Sequence, residues 1–391
     1  MKRDNLKVIH SFPIWLPQTQ TWMYNQVKYL PENIHTHIVC ERTEHLDQFQ
    51  LPNIHSLQKN SRILQYWEWG LRMLGMRHLL MHLLSTAKKT NAQLIHSHFG
   101  HIGWRDLVAA QNLGIKHVVT FYGADVNKLP TQNKNWLRRY QELFEASNLL
   151  LCEGPHMAKE LIRMGCKPEK VRIHHLGIEI EKLRFAPRHW DGRGPLRVLI
   201  ASSFTEKKGI PYALLALARL QRNQSFEITI IGDAGVQRDA EREKEKILKT
   251  ISENGLSSKT KMLGYQPYPV MLREAYQHHV FISPSVTASD GDTEGGAPVS
   301  IIEMVATGMP VVSTSHCDIP EVLQYGIEDW LVSERNVDGL VKKLQWLIDH
   351  PDWESFLIKG RQHVASEYDA VQQGYKLANI YQEIIQNRYG C

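Results

Sequence analysis

Cysteine is scarce in this 391-residue chain, and the five present (Cys40, Cys152, Cys166, Cys317 and Cys391) form no CxxC pair. That scatter excludes a disulfide framework and a thiolate zinc site, and it predicts reduced thiols in a cytosolic protein. No run of roughly 18 apolar, uncharged residues occurs, so no membrane-spanning helix is expected. The first residues, Met1-Lys-Arg-Asp-Asn-Leu-Lys7, lead straight into strand-like sequence, so a cleaved signal peptide is not expected either. Internal repeats, low-complexity stretches and DNA- or RNA-binding motifs are lacking. The net charge is only +5, but it is unevenly placed. Residues 1–190 carry 25 Lys+Arg against 15 Asp+Glu, a net +10, and the remainder carries 21 against 26, a net −5. A basic half predicts an anionic partner, and with no nucleic-acid motif lipid phosphate suits it best.

What is present is two rounds of strand–helix alternation. In the first half, apolar strand patterns at Lys7–Ser11, Ile34–Cys40, Leu94–His98, His117–Tyr122, Asn148–Cys152 and Val171–His175 alternate with helical ones. The helical patterns are Thr19–Tyr29, Gly103–Leu113, Asn135–Ala146 and His156–Met164. A Pro/Gly-rich polar break, Phe185–Pro195, reads as a linker. Strand patterns then resume at Arg197–Ala201, Glu227–Gly232, Lys261–Gly264, Val280–Pro284, Pro310–Ser313 and Trp330–Val332. This predicts an α/β protein with two doubly wound parallel-sheet domains and a ligand site beyond the carboxyl ends of the strands.

The densest chemistry lies at Asp290-Gly-Asp-Thr-Glu294-Gly-Gly-Ala-Pro-Val-Ser-Ile-Ile-Glu303. A strand ends in a glycine-rich turn, and a helix over Pro298–Thr307 follows, with Gly308 as its C-cap. The free amides of Gly295, Gly296 and Ala297 at a helix N-terminus suit a phosphate. Glu294 and Glu303 gain nothing from phosphate and suit hydroxyl groups, so the pattern describes a nucleotide-sugar site. Lys208, with Gly209 at the next helix start, can reach a diphosphate as a point charge. Gly232-Asp233 is a strand-end turn, and Tyr265 follows another strand. Two histidines, His96 and His98, share one strand face, as metal ligands or core residues do. Asp290 and Asp292 have the Asp-x-Asp spacing of a cation site but read better as loop scaffolding. Arg62–Lys89 mixes tryptophan, leucine and methionine with basic residues, which suits either a membrane-surface helix or a core stripe.

The Glu294/Glu303 segment resembles the Glu-x7-Glu signature of retaining GT-B glycosyltransferases, with one extra residue between the glutamates. The Asp-Gly-Asp-Thr-Glu-Gly-Gly-Ala-Pro form resembles the colanic-acid/exopolysaccharide branch of the family 4 / group 1 type. The resemblance implies a GT-B fold: two Rossmann-like domains, 1–187 and 195–369, facing across a cleft, with helix 370–391 packing back on the first. It places Glu294 on donor-sugar hydroxyls, Glu303 on the ribose, Lys208 and the Gly295–Ala297 amides on the diphosphate, Gly232 at the cleft floor and Tyr265 at the base. Ser203 stands where the family has an arginine. His98 (in His-x-His-Phe-Gly), Tyr122 (where the family has histidine) and Asp125 would form the acceptor-side catalytic set with Glu294. Near pH 7 a phenol cannot replace imidazole as acid or base, but it does not block a route in which the leaving phosphate takes the acceptor proton. Pro17–Thr21 resembles the branch's Ser-Glu-Thr-Phe loop, with Thr19 or Thr21 as helix cap. The implied activity is transfer of a hexose from a nucleoside diphosphate sugar to a lipid-linked or oligosaccharide acceptor in polysaccharide biosynthesis. No metal or other cofactor is expected, and the implied location is cytoplasmic with peripheral membrane contact. The alternatives are a non-catalytic binding partner on this fold, suggested by Ser203 and Tyr122, and a sugar-nucleotide epimerase.

Overall fold

A computed structural model describes residues 5–16, 22–74, 76–77, 79–235 and 238–386. The expected caps Thr19 and Thr21 lie outside the described residues. The chain divides into two compact units, Met1–Glu179 with Asp369–Cys391, and Ile180–Tyr368. The boundary falls ahead of the Pro/Gly-rich segment read as a linker. That segment belongs to the second unit because Arg188 is buried there, donating to the carbonyls of Ala186, Thr307, His278 and Ala275.

In the first unit the strands are β1 (Leu6–Ser11), β2 (Ile14–Trp15), β3 (Ile34–Cys40), β4 (Arg42–Thr43), β5 (Ile54–Ser56), β6 (Leu94–His98), β7 (Lys116–Thr120), β8 (Leu149–Cys152) and β9 (Val171–Ile173). Seven form one parallel sheet in the order β5-β3-β1-β6-β7-β8-β9, and β2 and β4 pair separately. Helices α1 (Trp22–Lys28), α2 (Arg62–Met73), α3 (Leu80–Thr90), α4 (Gly100–Leu113), α5 (Ala124–Gln132), α6 (Asn135–Ala146) and α7 (Pro155–Arg163) connect them. Strands such as LLLC in β8 are buried at every position, as a sheet covered on both faces requires. One face packs Leu6, Val8, Leu94, Val118 and Leu149 against the C-terminal helix, through Leu377, Tyr381 and Ile384. That helix starts at Asp369, whose side chain accepts from the Gln372 amide at 2.9 Å, an N-cap.

The second unit carries β10 (Leu196–Ala201), β11 (Phe226–Ile231), β12 (Thr260–Gly264), β13 (Val280–Ser283) and β14 (Val311–Ser313), ordered β12-β11-β10-β13-β14 and all parallel. Its helices are α8 (Ile210–Leu220), α9 (Arg238–Glu253), α10 (Tyr268–Gln277), α11 (Val299–Ala306), α12 (Ile319–Val322), α13 (Val337–Asp349) and α14 (Glu354–Glu367), and α15 (Ala370–Ile385) is the C-terminal helix of the first unit. Trp330–Val332, expected as a strand, makes only a single bridge to Thr314. The indole of Trp330 is turned inward to donate to the Val311 carbonyl at 2.8 Å.

Candidate active site

The expected donor residues of the second unit converge beyond the carboxyl ends of β10, β11 and β13. Two glycines let those ends approach. Gly232 has φ +132°, and a Cβ there would lie 1.8 Å from the Ser202 carbonyl oxygen. Gly209 has φ +62°, and a Cβ would lie 2.0 Å from the Pro284 oxygen. The backbone thereby brings the loop after β10 against the loop after β13.

Lys208 and Glu294, read separately in the sequence, form one buried pair. The Lys208 ammonium lies 2.9 and 2.7 Å from the two Glu294 oxygens, with side chains 17% and 6% exposed. Ser285 Oγ adds a hydrogen bond to Glu294 at 2.8 Å. Burial alone would push the Glu294 carboxyl up. Lys208, Lys207 and the hydrogen bonds from Lys208 and Ser285 outweigh it and hold the pKa below the ordinary value. Lys207 Nζ meets Asp292 Oδ1 at 3.2 Å and the Thr293 carbonyl at 2.9 Å. Asp290 accepts from the Asp292 amide at 3.0 Å, so both aspartates brace the loop.

His316, absent from the sequence reading, completes this centre. Its Nε2 accepts from the Glu294 amide at 3.1 Å, and its Nδ1 lies 2.6 Å from Glu334. Glu334 also accepts from the Thr287 amide at 2.7 Å, so one carboxylate anchors both ends of the turn that carries Glu294. Glu303 lies on α11, one turn beyond the Gly295–Ala297 turn. Burial raises its carboxyl pKa to about 7, against a hydrogen bond from Tyr268. Tyr268 and Tyr265, beside Glu303 and the end of β12, are 45% and 41% exposed. Ser203 is half-buried in the loop after β10.

In the first unit the expected residues form a buried hydrogen-bonded chain at the ends of β6 and β7. The Tyr122 hydroxyl donates to Gln26 Oε1 at 3.0 Å and lies 2.6 Å from His98 Nδ1. His98 Nε2 lies 3.0 Å from His10 Nδ1, and the His98 ring stacks on Phe12 at 3.9 Å. With the phenol donating to Gln26, His98 carries its proton on Nδ1 and accepts on Nε2 from His10. Burial keeps the Tyr122 phenol well above its usual range and the His98 imidazole well below. Both stay neutral near pH 7.

Asp125 is buried too, and burial raises its pKa to about 6 against hydrogen bonds from backbone amides. Its oxygens accept from the Gly100 amide at 2.7 Å and the Tyr122 amide at 3.0 Å. The sequence reading placed His98 and Asp125 facing a reacting sugar, but the structure buries both behind Tyr122. His96 is likewise engaged, with Tyr381 and Thr120 hydroxyls each 2.6 Å from a ring nitrogen. Among the described residues, His10, His96 and His98 are the one group whose ligand atoms lie close enough for a metal, all within 4.8 Å. Both nitrogens of His96 and of His98 have hydrogen-bond partners, leaving only His10 Nε2 without one.

Two Rossmann-like units, one with paired glutamates and lysine beyond its strand ends, define a GT-B-type glycosyltransferase fold. "Glycosyl transferases group 1" matches residues 188–363 and "Glycosyltransferase Family 4" matches residues 19–182. The amylovoran biosynthesis glycosyltransferase AmsK of Erwinia amylovora is 33% identical over 301 residues, covering 75% of this chain and 70% of AmsK. WcaL of Salmonella typhimurium, named for colanic acid biosynthesis, is 31% identical over 302 residues, 75% of this chain and 71% of WcaL. This chain therefore belongs to the group 1 / family 4 glycosyltransferases, on the branch with exopolysaccharide-building relatives. Its fold matches Anabaena HepE solved with UDP, at a TM-score of 0.78 and 15% identity over 97% of this chain and 100% of HepE. It also matches a glycosyltransferase from Rickettsia africae, at a TM-score of 0.77 and 15% identity over 98% and 99%.

Proposed function

We propose that this glycosyltransferase moves a hexose, with retention, from a nucleoside diphosphate sugar to a lipid-linked saccharide during bacterial polysaccharide assembly. The reaction would take place at the cytoplasmic face of the membrane. The observation that carries this reading is the buried Lys208–Glu294–Ser285 cluster beside the glycine turn that opens α11. Lys208 and the amides of Gly295, Gly296 and Ala297 would hold the diphosphate, which draws part of Lys208's charge from Glu294. Glu294 would accept from donor-sugar hydroxyls and Glu303 from the ribose, with Tyr265 at the base and Gly232 at the floor. Ser203 offers a hydroxyl where the family has a cation, so the backbone amides take a larger share of the anion. Tyr122 would present its phenol to the reacting sugar, with Asp125 and His98 holding it in place. The departing phosphate oxygen takes the acceptor hydroxyl's proton as the new glycosidic bond forms on the face the leaving group vacates. The ammonium and the amides would share the diphosphate's charge, and no metal is expected.

Thermal shift of the purified protein with UDP, GDP, ADP and CMP, with and without EDTA, tests this. The fold match to a UDP-bound protein puts UDP first. Binding at a hundredfold excess over Kd adds about 2.7 kcal/mol. The expected result is stabilisation by one nucleoside diphosphate, indifferent to EDTA and lost in Lys208→Ala. No shift with any of the four would sink the donor site and favour a non-catalytic role.

A further inference from the structure

The segment Arg62–Lys89 resolves into two helices of opposite character. In α3, Leu83 and Ala87 are buried in the core, with Leu79 just ahead of them. In α2 the pattern is inverted. Its one buried residue is the acid Glu68, 2% exposed, which accepts from the Leu79 amide. Gln65 on the same side donates to the carbonyls of Gln58 and Asn60, at 3.1 and 2.8 Å. The large apolar side chains face outward: Ile63, Tyr66, Trp67, Trp69, Met73 and Leu74 are between 61% and 83% exposed. At about 100° per residue they fan over an arc of about 160°. An apolar arc of that width on a water-facing helix calls for an apolar partner.

Charge says which partner. Around α2 the exposed basic residues are Lys59, Arg62, Arg72, Lys88 and Lys89, while Arg77 and Arg105 are engaged by Glu142 and Asp106, and the one acid on α2, Glu68, is turned into the protein. Arg62 lies within the arc and Arg72 at its edge; both are exposed, and Arg72 is bonded to Glu41 at 2.9 Å. Tryptophan and tyrosine beside a basic rim are what the headgroup layer of an anionic bilayer accepts. A second copy would set the same basic rim against itself.

We propose that α2 is an interfacial membrane helix, lying in the plane of an anionic bilayer with Trp67, Trp69, Tyr66, Ile63, Met73 and Leu74 in the headgroup–acyl boundary. It would hold the first unit at the surface where a lipid-linked acceptor resides. The inference rests on the lipid-linked form of the acceptor proposed above, but its test uses neither donor nor acceptor. Flotation of the full chain with vesicles of phosphatidylglycerol and phosphatidylcholine, and of phosphatidylcholine alone, is the experiment. Binding should occur on the anionic vesicles, weaken in about 0.5 M salt, and bring quenching of tryptophan emission by brominated lipid. Trp67→Glu with Trp69→Glu changes exposed residues only and should lower vesicle affinity by about tenfold or more, while leaving the thermal shift by nucleotide intact. Equal vesicle binding by wild type and double variant, or none by wild type, would overturn the proposal. So would a lipid-free dimer that the double variant dissolves. Vesicle binding without any nucleotide response would leave this inference standing and sink the donor reading instead.

Discussion

Replacing Lys208 by alanine takes the cation from a carboxylate that the fold has already desolvated. The Glu294 side chain is 6% exposed and keeps only Ser285 and the more distant Lys207 as favourable neighbours. Breaking a buried pair from one side costs about 3–5 kcal/mol. The partners that remain reduce the expected loss to about 2–3 kcal/mol at pH 7, read from urea unfolding with an unchanged m-value. The pH dependence is the sharper readout. In the wild type Glu294 has a lowered pKa, so its contribution is present above the ordinary carboxylate pKa and lost as pH falls through the folded value. In Lys208→Ala, burial is left as the main influence and moves the folded pKa above the unfolded one. The contribution then reverses: it favours folding at low pH and declines as pH rises. The stability gap between the two proteins should therefore widen from about pH 5 to about pH 7. Adding Glu294→Gln to the variant removes the stranded charge and should recover about 1–2 kcal/mol. A loss under about 0.5 kcal/mol with a gap flat in pH would refute the buried pair. The same variant would then lose nucleotide binding only if Lys208 meets the diphosphate directly.

Other substitutions probe separate parts. Glu303 has its pKa raised to about 7 by burial, so its stabilising contribution is full below the ordinary carboxylate value and is lost as pH rises through about 7. Glu303→Gln should gain on the wild type over that range by up to about 3 kcal/mol. It should also flatten a nucleotide affinity that otherwise strengthens as the carboxylate forms, as titration calorimetry at several pH values would show. Tyr122→Phe strands His98 Nδ1 and Gln26 and should cost about 1–3 kcal/mol. Transfer should fall while the thermal shift by nucleotide is kept; a lost shift would count against an acceptor-side role. Gly232→Ala places a Cβ 1.8 Å from the Ser202 oxygen. It should lower both stability and nucleotide binding, by about 2 kcal/mol or more in unfolding measurements.

The central parallel strands were legible because they are buried on both faces and therefore read as short apolar runs, as Leu149–Cys152 and Val280–Ser283 do. Short edge elements left no such trace. β5 has three residues, with Ser56 buried and Ile54 and His55 half-buried, so neither an apolar run nor an alternation marks it. Trp330–Val332 misled in the opposite direction, because Trp330 and Val332 fill the core while the segment pairs with its neighbour through a single bridge, Val332 to Thr314. The break at Phe185–Pro195 read as a linker because proline, glycine and charge are linker composition. Arg188 is the exception that composition hides: a guanidinium can be buried wherever enough carbonyls converge, and here four do.

The site was legible one residue at a time and illegible as a set of pairs. Glu294, Glu303 and Lys208 stand in motifs whose spacing along one strand–turn–helix is local information. That Lys208 closes on Glu294 depends on Gly209 and Gly232 letting two loops meet, a contact between positions 86 apart. His316 and Glu334 gave no signal at all, since each follows a different element and meets the Glu294 turn only in the fold, His316 at the Glu294 amide and Glu334 at the Thr287 amide. The same limit explains the first unit. His98, Tyr122 and Asp125 were each singled out as if they looked outward, because a polar residue at a strand end usually does. The sheet instead aligns β6 with β7 in register, His98 beside Thr120. That brings the polar ends of the two strands together, so they satisfy one another and leave Tyr122 as the member nearest to solvent. In α2 the apolar periodicity was visible, and the sequence left open whether that face is core or surface. Only the position of Glu68, folded inward against the Leu79 amide, shows that the tryptophans point out.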